Sequence, residues 1–164
     1  MEKDDEARQK GDGIGNYLKM NRQLLVYSLH PKNRRLPMSL CILIVDDSSL
    51  IRQTVREALE EQPDWLVCGE AENGRQAIEK AQQLKPDLII LDLSMPIMNG
   101  LEAAQVLKKL MPAVPLVMFT SFKTNHLHQQ ALAAGVNTLI MKSDSESLVA
   151  LVNSIRSLLV KQVA

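Results

Sequence analysis

Four short apolar runs in this chain each end on a residue that can do chemistry. Cys41-Ile42-Leu43-Ile44-Val45 stops at Asp46 and Asp47. Leu88-Ile89-Ile90-Leu91 stops at Asp92. Leu116-Val117-Met118-Phe119 stops at Thr120, and Thr138-Leu139-Ile140-Met141 stops at Lys142. Carboxylates brought together repel one another, and their clustering is unfavourable unless a cation fills it. Oxygen donors alone suit a hard ion such as Mg²⁺. An aspartate beside such an ion is a candidate nucleophile, because its carboxylate can form an acyl-phosphate. A lysine there would neutralise charge on an incoming phosphoryl group, and a threonine hydroxyl would bond one of its oxygens.

Each residue has an ordinary explanation when taken alone. An aspartate after a strand commonly caps a helix or makes a turn. A single lysine is usually solvated, and a threonine at a strand end is unremarkable chemistry. The weight lies in the agreement of all four run ends, and that agreement matters only if the runs share one edge.

The remaining pattern supplies that edge. Runs this short, bounded by polar residues, read as strands buried on both faces of a parallel sheet. In open α/β sheets, ligands bind outside the C-terminal ends of such strands. Strands are predicted at 41–45, 66–71, 88–91, 116–119 and 138–141. Helices are predicted at 48–61, 74–84, 101–110, 125–134 and 146–160. The first helix carries Leu50, Ile51, Val55, Ala58 and Leu59 on one stripe. Ser48 or Ser49 caps it, and Pro63 follows its end. Gly135 is placed to close the fourth helix. Five strand–helix units predict a doubly wound α/β sandwich with right-handed crossovers.

Composition narrows the function classes. With 164 residues the chain can hold one domain with a real core, and at 3% aromatic that core must be aliphatic. Residues 1–40 carry eight basic against five acidic residues, and residues 41–164 carry eleven against fourteen. A mildly acidic domain is a poor candidate for direct nucleic-acid binding. Cys41 and Cys68 both lie in apolar strand-like runs, and the expectation is two buried, reduced thiols, since a disulfide framework would need more cysteines. No apolar run approaches the ~18 residues of a membrane span. The acidic start Met1-Glu2-Lys3-Asp4-Asp5-Glu6 is unlike a signal peptide, so a soluble cytoplasmic protein is expected. Residues 1–38, with Gly11, Gly13, Gly15, Pro31 and Pro37, read as a flexible N-terminal extension before a domain over 39–164. An alternative is that Met38 is the natural start.

The motifs Val45-Asp46-Asp47-Ser48, Leu91-Asp92-Leu93-Ser94-Met95-Pro96-Ile97-Met98-Asn99-Gly100, Phe119-Thr120-Ser121 and Ala134-Gly135 leading to Lys142 together resemble a two-component response-regulator receiver domain over about residues 39–160. Gly69-Glu70-Ala71-Glu72-Asn73-Gly74 and Lys142-Ser143 resemble the NarL-type subfamily. The resemblance implies a flavodoxin-like (βα)5 fold with strand order 2-1-3-4-5. It implies that Asp92 takes a phosphoryl group from a phosphohistidine on a sensor histidine kinase or phosphotransfer protein. Asp47 would bind Mg²⁺ directly and Asp46 mainly through metal-bound water. Asp92 and the Ser94 backbone carbonyl would be further ligands. Lys142 would contact the phosphoryl group, and Thr120 would swing to bond it.

Two departures from the family pattern stand out. Leu139 occupies the position where receivers usually carry an aromatic switch residue, and Ser143 replaces a common proline. The chain ends at Ala164, soon after the last predicted helix, so the expectation is a stand-alone receiver without a DNA-binding output domain. It would be a phosphorylation-switched interaction module for an output protein not identified by the sequence, rather than a turnover enzyme. A second copy of the chain is a further candidate partner. An aspartate-based phosphohydrolase would carry a second acid two residues past the nucleophile, where this chain has Ser94. A nucleotide-binding module would need a glycine-rich loop after the first strand, where it has Asp46-Asp47-Ser48-Ser49. A degenerate receiver that acts without phosphorylation is the remaining alternative, and Leu139 is what keeps it open.

Overall fold

The computed structural model describes residues 39–122, 124–143 and 145–163. The expectations for residues 1–38, a flexible extension among them, lie outside that range. Strand and helix alternate throughout: β1 (Leu40–Val45), α1 (Ser49–Glu60), β2 (Trp65–Ala71), α2 (Gly74–Leu84), β3 (Leu88–Leu91), α3 (Gly100–Leu110), β4 (Leu116–Thr120), α4 (Asn125–Ala133), β5 (Thr138–Met141) and α5 (Ser145–Val163). The pairings β1–β2, β1–β3, β3–β4 and β4–β5 are all parallel, and the sheet order is β2-β1-β3-β4-β5. The doubly wound architecture is the one expected.

Successive strand side chains point to opposite faces. Ile42, Ile44, Ile90 and Phe119 pack against Val55 and Leu59 of α1 and Leu151 and Ile155 of α5. Leu43, Val45, Leu91 and Met118 pack on the other face against Ala77 of α2 and Ala103 and Leu107 of α3. A central strand covered on both sides must be apolar at every position, which is why the runs are unbroken. Full burial of a side chain such as Ile90 contributes about 1.5–3 kcal/mol. Small alanines on α2 and α3 let those helices approach the sheet closely.

The helix ends follow local chemistry. Ser48 caps α1, its hydroxyl accepting the Ile51 N–H at 3.4 Å. Asn99 and Glu102 form a reciprocal capping box, so α3 starts at Gly100, one residue before the predicted start. Gly135 has φ +89°. Its N–H donates to the Leu132 carbonyl at 3.0 Å, and the Val136 N–H donates to the Ala131 carbonyl at 2.9 Å. These two bonds make a Schellman motif that ends α4 and turns the chain into β5.

The cysteines depart from expectation. Cys41 and Cys68 are joined in a disulfide across β1 and β2, with Cα atoms 5.4 Å apart, rather than standing as reduced thiols. The cause is a one-residue irregularity in pairing. Ile42 pairs with Val67 but Leu43 pairs with Gly69, which leaves Cys68 as the extra residue of a β-bulge. Apolar periodicity carries no signal of such a slip, so the sequence shows two isolated cysteines. The bridge closes a sequence separation of 27 residues, for which the chain-entropy relation gives about 3.5 kcal/mol of stability. Urea unfolding with and without a thiol reductant checks this. Reduction, or a Cys41→Ser/Cys68→Ser variant, should lower the midpoint correspondingly, and coincident curves would contradict it.

Candidate functional site

The sheet's hydrogen bonding continues one residue past its strands and sets the site. The Asp46 N–H donates to the Ala71 carbonyl of β2 at 3.0 Å, and the Asp92 N–H donates to the Val45 carbonyl of β1 at 2.8 Å. On the other side the Lys142 N–H donates to the Thr120 carbonyl of β4 at 2.9 Å. Asp46 and Asp92 are therefore anchored by neighbouring strands and buried, while Asp47 is exposed. The Asp46 Oδ1 accepts the Ser48 N–H at 3.0 Å, so one side chain ends β1 and starts α1.

The ammonium of Lys142 bridges the acids. Its Nζ lies 2.5 Å from Asp46 Oδ2 and 3.0 Å from Asp92 Oδ1. It also stands 5.8 Å from the centroid of the Phe119 ring, within cation–π range. The second Asp92 oxygen accepts the Ser94 N–H at 3.1 Å. Carboxylate oxygens of Asp46, Asp47 and Asp92 lie within 4.8 Å of one another. These are hard oxygen donors converging from one side, a donor set that fits a small dication.

The loop after Asp92 is held tightly. The Gly100 N–H donates to the Leu93 carbonyl at 2.9 Å, and a Cβ at Gly100 would fall 2.1 Å from the Asp92 carbonyl oxygen. Only glycine allows α3 to begin against the backbone of Asp92. Within the same loop Ile97 has φ +68°, an uncommon conformation for a β-branched residue and a local reservoir of strain.

Burial raises the Asp92 carboxyl above its ordinary value. The Lys142 ammonium pulls it back down by hydrogen bond and charge, and the Asp46 charge pushes it up again. A buried carboxylate flanked by another acid and one lysine is thus held at a compromise between expulsion and attraction.

The chain matches the family model for the response regulator receiver domain over residues 42–153. The chain belongs to the response-regulator receiver family. Among curated relatives, the response regulator protein VraR of Staphylococcus saprophyticus is 42% identical over 113 residues, which is 69% of this chain and 54% of that protein. The chain therefore spans about half the length of the curated relatives it matches. Among solved structures, the response regulator domain of Thermotoga maritima CheB superimposes with TM-score 0.68 at 31% identity, over 73% of this chain and 95% of that one. The receiver domain of the putative response regulator NarL from Mycobacterium tuberculosis superimposes with TM-score 0.66 at 26% identity, over 73% and 97%. Among the described residues no helix is long and apolar enough to cross a membrane.

The receiver brings together the residues named from sequence. Asp46, Asp47, Asp92 and Lys142 meet at the sheet edge. Thr120 ends β4 fully buried, and its Oγ1 accepts the Phe122 N–H at 3.3 Å. Ser94 contributes its N–H to Asp92. Leu139, at the position of the usual aromatic, is half-buried and packs against the core on the α3 side of the sheet. Two features were missed. Lys142 pairs with Asp46 as well as Asp92, a contact that strand-end reading cannot distinguish from a lysine aimed only outward. Arg52 is buried on α1 and donates to the Asp46 carbonyl. Its signal was available: an arginine three residues before Val55 and seven before Leu59 sits on the stripe that should be apolar.

The raised Asp92 has a thermodynamic consequence. A folded value above the unfolded one means that ionisation of Asp92 opposes folding. The penalty is absent below the ordinary carboxylate range and grows as pH rises through the folded value. Asp92→Asn should therefore be more stable than wild type at neutral pH, with the advantage shrinking as pH falls below that range. Urea unfolding at both pH values checks this, and a less stable variant at neutral pH would contradict it.

Proposed function

We propose that this receiver accepts a phosphoryl group on Asp92 from the phosphohistidine of a sensor histidine kinase or phosphotransfer protein. In the transfer an Asp92 oxygen attacks phosphorus, the phosphorus–nitrogen bond breaks, and the histidine leaves as a neutral imidazole once it holds a proton. The observation that carries the reading is the placement of Lys142 between Asp46 and Asp92. A cation there offsets the burial of the nucleophile by favouring its ionised form, and can move its charge onto phosphoryl oxygens as they arrive. Asp46, Asp47, Asp92 and the Ser94 carbonyl would hold Mg²⁺, which would neutralise further charge on the transferring group. Thr120 would then turn its hydroxyl to the phosphoryl group, passing the change to α4 and to an output protein.

Ser94 stands where an aspartate phosphohydrolase would carry its second acid, which favours a stable acyl-phosphate over rapid turnover. The complete acid and lysine set favours a phosphorylated receiver over one that acts unphosphorylated. Acetyl phosphate with Mg²⁺ tests the reading. Wild type should gain one phosphoryl group, mapped by peptide mass spectrometry to Asp92, and Asp92→Asn should gain none. Labelling of the asparagine variant would move the acceptor elsewhere, and no gain in wild type would favour the degenerate receiver.

The phosphorylated state should be long-lived. Its hydrolysis needs a water aligned opposite Asp92, and the residue two past Thr120 flanks that approach. Here it is Phe122, whose side chain is not packed in the core but is 58% exposed, apolar and unable to orient a water. A well-placed acid–base group is worth ~10²–10⁴ in rate. Decay of the phosphorylated protein in excess EDTA should be about tenfold or more faster in Phe122→Glu, a loose share of that assistance. Equal decay would show that Phe122 does not guard the phosphoryl group.

A further inference from the structure

Arg52 is a charged residue where the fold calls for an apolar one. It shares the buried stripe of α1 with Val55 and Leu59, and only 8% of it is exposed. Its guanidinium makes three separate contacts. The Nε donates to Glu70 Oε2 at 2.9 Å, the Nη2 to Glu72 Oε1 at 3.3 Å, and the Nη1 to the backbone carbonyl of Asp46 at 2.8 Å. A buried charge must be paired to be tolerated, and the two glutamates account for the charge. They do not account for the third bond. Arg56, on the same helix, is the comparison. It contacts Glu70 Oε1 through Nε at 2.8 Å and Nη2 at 2.6 Å, and also bonds Glu60 and, at 3.4 Å, the Val67 carbonyl within β2. It is more exposed, and none of these bonds reaches the Asp46–Asp47 peptide.

The third bond falls on the peptide plane between Asp46 and Asp47. The N–H of Asp46 is already fixed by the Ala71 carbonyl at 3.0 Å. The Asp46 side chain is fixed by Ser48 and Lys142. The Asp46 carbonyl is the remaining handle, and Arg52 takes it. With that plane held, the exposed Asp47 side chain departs from a peptide pinned at the Asp46 carbonyl. The rigid fork of arginine can serve this carbonyl and both glutamates at once, which a lysine cannot.

We propose that Arg52 is a positioning residue for the acidic pocket, fixing the Asp46–Asp47 peptide so that both carboxylates face a bound divalent cation. The inference rests on the Mg²⁺ reading of that pocket. Outer-shell partners of metal ligands change affinity by about 10–100-fold when removed. The test is Mg²⁺ titration of the full chain by calorimetry, beside circular dichroism and urea unfolding. Arg52→Met should fold and bind Mg²⁺ about tenfold more weakly, at the lower end of that range. Arg56→Met strips Glu70 of its other partner and should leave Mg²⁺ affinity unchanged even if it loses stability. Asp47→Ala, run in parallel, should abolish binding. Wild-type affinity in Arg52→Met with binding lost in Asp47→Ala overturns the role of Arg52 and leaves the metal pocket standing. Wild-type affinity in Asp47→Ala overturns the pocket reading, and this inference falls with it. Equal weakening in Arg56→Met overturns it too, because general charge would then explain the effect. If Arg52→Met does not fold, Arg52→Lys decides. It retains the charge opposite Glu70 and Glu72 but lacks the fork, so weakened Mg²⁺ binding supports the proposal and unchanged binding overturns it.

Discussion

The crowding of like charges at one edge of a parallel sheet is the constraint around which this receiver is built. Asp46 and Asp92 are both buried, each extending a strand by one hydrogen bond from its neighbour. Neither carboxylate can leave, because its backbone belongs to the sheet ladder. The repulsion is met instead by Lys142, delivered from the end of β5 to a point between them. The result balances unfavourable burial of Asp92 against attraction to one ammonium. A site held at such a balance fits the proposed reading, in which a dication and then a phosphoryl group would add charge at this edge.

The helices serve the same edge. α1 supplies Ser48 at its cap and Arg52 on its inner face, so the side chain and the carbonyl of Asp46 are both tied to the helix that follows it. α3 begins at Gly100 directly against the Asp92 carbonyl, which fixes the loop bearing Ser94. Core packing on the two sheet faces keeps these helices in place, so the stability of the aliphatic interior is converted into rigidity at the acids. The Cys41–Cys68 bridge lies in the same β1–β2 pair, and the bulge beside it precedes Glu70 and Ala71, which hold Arg52 and Asp46.

Much of this was legible in the chain. Apolar runs buried on both faces are distinctive, so all five strands and their helices were placed to within a few residues. Because parallel strands share an edge, the run-end residues Asp46, Asp47, Asp92 and Lys142 could be assembled without coordinates. What could not be read depends on register or on the third dimension. A one-residue bulge brought Cys41 and Cys68 together, and alternation has no means of showing it. The double role of Lys142 depends on how far its stem reaches across β4. Arg52 was overlooked because a single polar residue on an apolar stripe carries little weight until its partners, Glu70 on β2 and Glu72 just past the end of that strand, are known to lie beside it.

A crystal structure grown with Mg²⁺ tests the account most directly. The expected result is one ion with carboxylate oxygens of Asp47 and Asp92 at about 2.0–2.1 Å, and Lys142 still in contact with Asp92. An ion bound elsewhere, or the three aspartates paired only with Lys142 at saturating Mg²⁺, would contradict the claim that this edge of the sheet is a cation-dependent phosphoacceptor site.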